Sequence, residues 1–196
     1  MKAFWRKTPL THNEEALLSK CLEAHYEAAF RENLSSSVIV AAYQGNGSDF
    51  LKAVASGLGT LGGAHGPVTQ AYEVLKDEHH EIVSHAMGRK IAGWGSAFVK
   101  GEPDPIVERA MLYVDVGWPD IGKRIEVITD TLHYHNKIIF PNMACLTAAT
   151  AIILGMPKEL SPVLLLHGRT MAWAQLIHDA QRQAPEDQVR DHGGRV

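Results

Sequence analysis

The chain contains little cysteine. Cys21 and Cys145 are the two cysteines among 196 residues, and a long stretch of sequence separates them. Neither belongs to a Cys-x-x-Cys pair or to a cluster of the kind that holds zinc, so neither predicts a metal site. Isolated cysteines of this kind are typical of a reducing compartment. We therefore expect a cytoplasmic protein.

Long apolar runs and blocks of basic residues are also missing. No segment has the roughly 20 apolar residues that a membrane-spanning helix needs, and the amino-terminal stretch lacks the apolar core of a signal peptide. The formal net charge is −3, and without a basic run the chain is not suited to nucleic acid. Hydrophobic residues make up 45% and charged residues 21%, as in a globular protein with a core. We expect no membrane and no nucleic acid among the partners.

Most segments carry apolar residues at helical spacing, with glycine and proline between them. Thr11 or Asn13 can cap the first helix, and several later helices begin at a proline, whose missing N–H is harmless in a first turn. The stretch "IAGWGSAFVKGEPDP" is typical of a loop. The stretch "SSSVIVAAYQ" fits either a buried helix or a strand. The pattern as a whole predicts an all-α protein.

One histidine, His65, lies in a glycine-rich turn, "GTLGGAHGPVTQ", directly before a predicted helix. The positive amino-terminal end of that helix disfavours the imidazolium ion, so we expect a neutral ring. A neutral imidazole can donate a hydrogen bond to a carbonyl oxygen and stabilise an enolate. Gly66 and its neighbouring glycines would let a ligand approach the backbone. An ordinary polar turn between helices explains the same pattern.

An ordered series of stretches resembles the citrate synthase superfamily, which includes citryl-CoA lyases and methylcitrate synthases. The stretches are "ENLSSSVIVAA", "LGGAHGPVTQA", "AGWGSAFVKGEPDPI", "PNMACLTAATAIILGMPKEL" and "HGRTMAWAQLI". The resemblance implies an all-α fold, with a citrate-synthase-like helical core and a small helical subdomain. Relative to the family, this chain is expected to be truncated at the N-terminus.

The resemblance also implies how a single citrate-synthase-like chain is organised. Residues 11–65 and 141–181 would form the core helices, residues from approximately 66–140 the small subdomain, and residues 182–196 a polar tail. Family members are much longer, and a shortened core would leave apolar faces uncovered. Pairing two chains buries such faces. We expect a homodimer, built around the helices of residues 14–45 and 160–181.

Site residues follow from the resemblance one by one. His65 would steady an enol oxygen, and Arg169 in the last helix would hold a carboxylate. Ser96 stands where the family has a second histidine. Lys100 stands where the family places a basic residue near the coenzyme A entrance, although a solvated loop lysine explains it equally well. The catalytic candidates are His65, Ser96 and Asp104, and the substrate-binding candidates are Arg169, Lys100, Gly66 and Gly95.

Other family groups are absent from this chain. The aspartate base of the family falls on Ala144, and an arginine that clamps a carboxylate falls on Ile106. Because general-base help is worth roughly 10²–10⁴ in rate, ordinary citrate synthase activity is not expected. Asp104 and Glu102, in the same loop as Ser96, are the candidates for a relocated base, with solvated loop acids as the plainer interpretation. His25 lies near the family's substrate-binding histidine, but its helix favours a surface or half-buried ring.

Two functions remain open. The first is a protein that binds a coenzyme A thioester or a di- or tricarboxylic acid and makes or breaks a C–C bond next to the thioester. This is acyl-CoA C–C lyase or acyltransferase chemistry. The second is a non-catalytic relative that binds a ligand or a protein partner. In both cases we expect no metal and no tightly bound cofactor, the coenzyme A thioester being a substrate.

Overall fold

A computed structural model of the chain describes residues 5–31, 50–59, 67–76, 90–96 and 98–183. Over these residues the regular secondary structure is helical, apart from one isolated antiparallel bridge between Trp94 and Pro141. The all-α prediction is thus confirmed. None of the described helices combines the length and the apolar character of a membrane-spanning segment. The helices are α1 (His12–Ala28), α2 (Phe50–Leu58), α3 (Val68–Lys76), α4 (Pro105–Gly117), α5 (Pro119–Tyr134), α6 (Met143–Ile153) and α7 (Pro162–Gln183).

Local sequence decides where several of these helices begin. The Thr11 hydroxyl accepts a hydrogen bond from the Glu14 N–H, and the Glu14 carboxylate accepts one from the Thr11 N–H. This capping box identifies Thr11, rather than Asn13, as the cap of α1. The helices α4 and α6 follow Asp104 and Asn142, whose side-chain oxygens accept hydrogen bonds from N–H groups of the first turn.

The main core lies where α1, α3, α4, α5 and α6 meet. The helix α6 is central to this core, because most of its residues are buried on all sides. The expected subdomain and the expected core share this cluster, since α3 packs on α6. The division at residues 66–140 stays a prediction. The largest fully buried side chains of the cluster are Leu17, Val68, Leu75, Ile128, Leu132, Leu146, Leu154 and Met156.

The helices α1 and α7 cross closely at Gly168. A methyl group added to Gly168 would lie 2.5 Å from the His25 Cβ and 2.9 Å from the Leu22 carbonyl oxygen. Only glycine allows the two backbones to come this close. As a result Arg169, the next residue of α7, lies beside the last turns of α1.

Core packing can be tested with a matched pair of leucine substitutions. Leu132 is fully buried in α5, whereas Leu112 in α4 is 55% exposed. We expect Leu132→Ala to lower the free energy of unfolding by about 2–5 kcal/mol, because it leaves a cavity in the core. Leu112→Ala should change it by less than about 0.5 kcal/mol. Urea denaturation followed by circular dichroism measures both, and equal losses would contradict this core.

Candidate functional site

Four of the sequence-predicted site residues meet in one cleft. Gly95, Ser96, Lys100 and Asp104 line a cavity of about 140 Å³, which residues 138–141 also line. Arg169 lies on α7, beside α1. The other two candidates, His65 and Gly66, lie outside the described residues. The described candidates thus fall in two places, a loop cleft and a buried arginine on α7.

Backbone hydrogen bonds fix the loop that carries Gly95. The Gly95 N–H donates to the Phe140 carbonyl oxygen at 2.8 Å, and the Gly95 carbonyl oxygen accepts from the Asn142 side-chain amide at 2.7 Å. Gly95 has a φ of +83°, a backbone conformation that residues other than glycine rarely adopt. This loop is therefore tied to the segment that leads into α6.

Ser96 stabilises the turn that follows it. Its hydroxyl oxygen accepts hydrogen bonds from the N–H groups of Phe98 and Val99, at 3.1 and 3.3 Å. The hydroxyl group remains able to donate a hydrogen bond to a ligand in the cleft. Unlike histidine, a serine hydroxyl does not act as an acid or a base near neutral pH. Lys100 is exposed at the rim of the same cleft.

Asp104 is not the solvated loop acid that the sequence favoured. It is 5% exposed, and its Oδ1 accepts hydrogen bonds from the Arg31 guanidinium at 2.5 Å and from the Ile106 N–H at 3.1 Å. The Arg31 guanidinium also lies over the Phe98 ring, 5.3 Å from its centre. These contacts favour a positioning role for Asp104, which holds Arg31 against the start of α4. Its role as a relocated base stays a prediction.

The sequence analysis did not identify Arg31. Its guanidinium lies near Ile106, the position where the family has an arginine that binds a carboxylate. The resemblance left Ile106 in place of an arginine. In the structure the Arg31 guanidinium reaches across from the end of α1 and binds Asp104, two residues before Ile106. The sequence offered no signal for this contact, because the two partners are 73 positions apart.

Arg169 is buried without a full set of hydrogen-bond partners. It is 7% exposed, and its Nε and Nη1 groups find no acceptor among the described residues. Burial and, secondarily, the charge of Arg31 lower the pKa of Arg169 to about 10, so the side chain stays charged at neutral pH. A buried charge of this kind is costly unless an opposite charge compensates it. The nearby Asp104 carboxylate is bound to Arg31, and no ion pair of Arg169 is found among the described residues.

His25 is fully buried, which corrects the expectation of a surface or half-buried ring. Its Nε2 atom lies 2.7 Å from the Thr147 hydroxyl oxygen, and its Nδ1 atom has no partner among the described residues. Burial, together with the nearby charge of Arg169, lowers the pKa of His25 to about 3. The ring is therefore neutral at physiological pH.

Ala144 occupies the position that the resemblance gives to the base. It lies in the first turn of α6, it is 5% exposed, and its N–H donates to the Asn142 side-chain oxygen at 2.9 Å. The backbone geometry of a helix start is thus kept while the side chain is reduced to a methyl group. A methyl group can neither accept nor donate a proton.

The ion pair between Arg31 and Asp104 can be tested by comparison with an exposed pair. Asp104→Asn keeps a capping oxygen but removes the negative charge beside Arg31. We expect it to lower the free energy of unfolding by about 3 kcal/mol, because the partly buried guanidinium loses its counter-charge. The control is Glu27→Gln, which breaks the exposed pair with Arg109 and should cost less than about 1 kcal/mol. Similar small losses in both variants would contradict a structural role for Asp104.

The buried, neutral state of His25 predicts a pH dependence of stability. An unfolded histidine titrates near about pH 6.5, whereas the folded pKa is lowered to about 3. As the pH falls below 6.5, the unfolded chain binds a proton that the folded chain does not, and stability is lost.

His25→Gln removes this proton uptake. Its stability deficit relative to the wild type should therefore shrink by up to about 1.4 kcal/mol per pH unit between about pH 6 and pH 4. Denaturation at several pH values measures the deficit. His12→Gln, at an exposed histidine, is the matched control and should cost less than about 0.5 kcal/mol at pH 7. A deficit for His25→Gln that does not change with pH would contradict the buried neutral ring.

Comparisons with solved structures find the same fold in proteins of citrate metabolism. Citryl-CoA lyase from Hydrogenobacter thermophilus superposes with a TM-score of 0.77 at 19% identity, covering 96% of this chain and 79% of that chain. ATP citrate lyase from Methanothrix soehngenii, solved with citrate and coenzyme A, gives 0.74 at 15% identity, with 94% and 35% covered. Citrate synthase from Thermotoga maritima gives 0.69 at 19% identity, with 90% and 51% covered.

This chain thus spans most of the first of these proteins, about a third of the second and half of the third. At these identities, the structural likeness shows the fold alone. A comparison with curated proteins found no significant match. The family model described as the C-terminal domain of citrate synthase matches residues 2–186, which is nearly the whole chain. The chain therefore belongs to the citrate synthase family, and the part of the family that it matches is the C-terminal domain.

Proposed function

We propose that this chain binds a di- or tricarboxylic acid, or the coenzyme A thioester of such an acid, at Arg169 and Arg31. The observation that carries this proposal is the buried Arg169 guanidinium, whose Nε and Nη1 groups have no acceptor among the described residues. A carboxylate accepts charge-assisted hydrogen bonds from guanidinium N–H groups and supplies the missing negative charge. Such a ligand would turn a costly buried charge into a compensated pair.

The adjoining loop cleft suits the coenzyme A part of a thioester. Lys100 is exposed at its rim and can contact a phosphate, and Gly95 leaves the backbone open to a close approach. Ser96 has a hydroxyl proton to donate to an oxygen of the bound acyl group. The ATP citrate lyase from Methanothrix soehngenii, a neighbour in fold, was solved in complex with citrate and coenzyme A, which supports this class of ligand.

The reaction we propose for this site is the breaking or making of a C–C bond next to the thioester. In the cleavage direction, loss of the hydroxyl proton releases a keto acid and leaves the thioester as an enolate, which is then protonated on carbon. His65 would stabilise the enolate oxygen as a neutral hydrogen-bond donor. The carboxylates that line the loop cleft, Asp104 and Glu102, are the candidates to exchange this proton, because Ala144 cannot.

A second candidate is a non-catalytic protein of the family that binds its ligand without turnover. Ala144 favours it, since the start of α6 is kept and capped by Asn142 while the family's base is replaced by a methyl group. Binding by Arg169 does not require the base. The two candidates therefore agree on the ligand and differ only in whether the C–C bond is broken.

We also propose a homodimer. Its support is the exposed apolar surface on α1 and α7, the helices that the expected interface contains. Tyr26 and Phe30 at the end of α1, and Val163 and Met171 on α7, are all between 38% and 58% exposed. Pairing two copies would bury these side chains.

Calorimetric titration with citrate, oxaloacetate, coenzyme A and acetyl-CoA tests the proposed binding. We expect citrate to bind the wild type, and Arg169→Met to weaken binding about 10- to 100-fold, as the loss of charge-assisted hydrogen bonds predicts. Arg109→Met is the matched control, because Arg109 is exposed and pairs with Glu27 on the surface. Removing the buried charge of Arg169 should not unfold the protein, and a thermal melt checks this.

Failure of the wild type to bind any of the four compounds would contradict the proposal. Equal binding by the wild type and Arg169→Met would contradict the assigned site. A parallel assay of citryl-CoA cleavage separates the two candidates, since the non-catalytic one predicts binding without products. His65→Ala should abolish any cleavage by the wild type.

A further inference from the structure

A groove runs along the helices α4 and α5, which follow each other with a single residue between them and pack together as a hairpin. Its volume is about 400 Å³. Val107 and Met111 of α4 and Ile125 of α5 line it with buried apolar side chains, and Phe140 and Pro141 line it as well. We call this feature the hairpin groove.

Carboxylates surround the apolar lining of the hairpin groove. Four of them are exposed and form no ion pair with a described residue. They are Glu108 and Asp115 of α4 and Glu126 and Asp130 of α5. A fifth, Asp104, is already bound to Arg31. Lysine and arginine are missing from the described residues that line the groove, so its charge is negative and uncompensated.

The Asp115 carboxylate is held in place by close packing on α5. A methyl group added to Gly122 would lie 2.6 Å from the Asp115 Oδ1 atom, so the absence of a side chain at Gly122 allows this approach. Burial and, secondarily, the charge of Glu126 raise the pKa of Asp115 above its usual value. The two like charges are therefore close enough to repel each other, and a cation in the groove would relieve this repulsion.

The negative charge of the hairpin groove restricts its possible occupants. Acidic surfaces repel nucleic acid and anionic lipid and attract cations. A metal ion does not fit, since the described residues contain no group of histidine, cysteine, aspartate and glutamate side chains that could hold one. The apolar lining calls for an apolar surface that carries positive charge at its edges, as in the apolar core and polar rim of a protein interface.

The spacing of the carboxylates matches the repeat of an α-helix. Glu108 and Asp115 are seven positions apart on α4, which is about 10 Å along a helix axis. Glu126 and Asp130 are four positions apart on α5, or about 6 Å. A helix lying along the groove would reach these carboxylates with lysine or arginine residues one or two turns apart. Apolar residues between them would face the lining, as in other complexes of a helix in a groove.

We propose that the hairpin groove docks a basic amphipathic helix of a partner protein. Its apolar side chains pack on Val107, Met111 and Ile125, and its lysine or arginine side chains pair with the exposed carboxylates. This inference is independent of the proposed function, because neither Arg169 nor Arg31 contributes to the docking. Residues 140–141 line both the hairpin groove and the loop cleft, so the docked helix lies beside the candidate site.

Fluorescence anisotropy with labelled model peptides tests the docking. The probe is a helical peptide of leucine and lysine with its lysines one and two turns apart. One matched peptide has glutamate in place of lysine, and the other has serine in place of leucine. We expect the probe to bind the wild type at least about 10-fold more tightly than either matched peptide. Its affinity should fall at least about 10-fold between about 0.05 M and about 0.5 M sodium chloride, because salt screens exposed charges.

Matched charge reversals locate the binding. Glu126→Lys places a positive charge in the groove and should weaken binding of the probe at least about 10-fold. Glu159→Lys makes the same change at an exposed glutamate outside the groove and should weaken it by less than about 2-fold. Both residues lie on the surface, so neither change should unfold the protein, and a thermal melt checks this.

Three results would overturn the inference. The first is a wild type that does not bind the leucine and lysine peptide. The second is equal weakening by Glu126→Lys and Glu159→Lys, which would show only a general attraction to an acidic chain. The third is equal binding of the leucine and serine peptides, which would show that the groove takes any organic cation, a polyamine included. The outcomes with citrate and with the peptides are separate, so either proposal can fail while the other stands.

Discussion

The close crossing of α1 and α7 at Gly168 is the constraint on which the rest of the site depends. It brings the backbone of α7 onto the His25 Cβ and the Leu22 carbonyl oxygen, at distances that no larger residue allows. Arg169 follows Gly168 and is therefore carried into the buried region beside α1. Without this crossing, the guanidinium would lie in solvent, where an unpaired charge costs little.

The end of α1 extends the same arrangement to the loop cleft. Arg31, just beyond this helix, binds Asp104, which is also the cap of α4. Its capping position holds the Asp104 carboxylate in place, and this carboxylate binds Arg31. The charge of Arg31 contributes to the lowered pKa of Arg169. The charges of Arg31 and Asp104 thus meet at helix ends, where Asp104 also caps α4.

Much of the helical framework could be predicted from the sequence, because caps and helical periodicity are local. Thr11 as a cap and the loop before Pro105 are examples. The burial of His25 and Asp104 could not be predicted in this way. Their partners lie 122 and 73 positions away, at Thr147 and Arg31, and no local pattern encodes such a contact. The resemblance located Arg169 but not the absence of its hydrogen-bond acceptors, which is a property of packing.

The residues that differ from the family pattern change the chemistry of the candidate site but leave the helices around it in place. Ala144 fits the capped first turn of α6 as well as a polar residue would, since Asn142 supplies the cap. Ile106 still donates its N–H to Asp104, although it brings no guanidinium. Family membership therefore accounts for the fold, and the activity has to be argued from the side chains that remain.

The proposed anion site at Arg169 can be tested through the resonance of its Nε–H group, which reports on a bound carboxylate. A ¹H–¹⁵N spectrum of the arginine side chains, with the signal assigned by its absence in Arg169→Lys, can be recorded during a citrate titration. We expect a large shift of this one signal, saturating with the citrate affinity, while the signal of exposed Arg109 stays in place. If citrate binds while the Arg169 signal is unchanged, the carboxylate lies elsewhere and Arg169 is not the anion site.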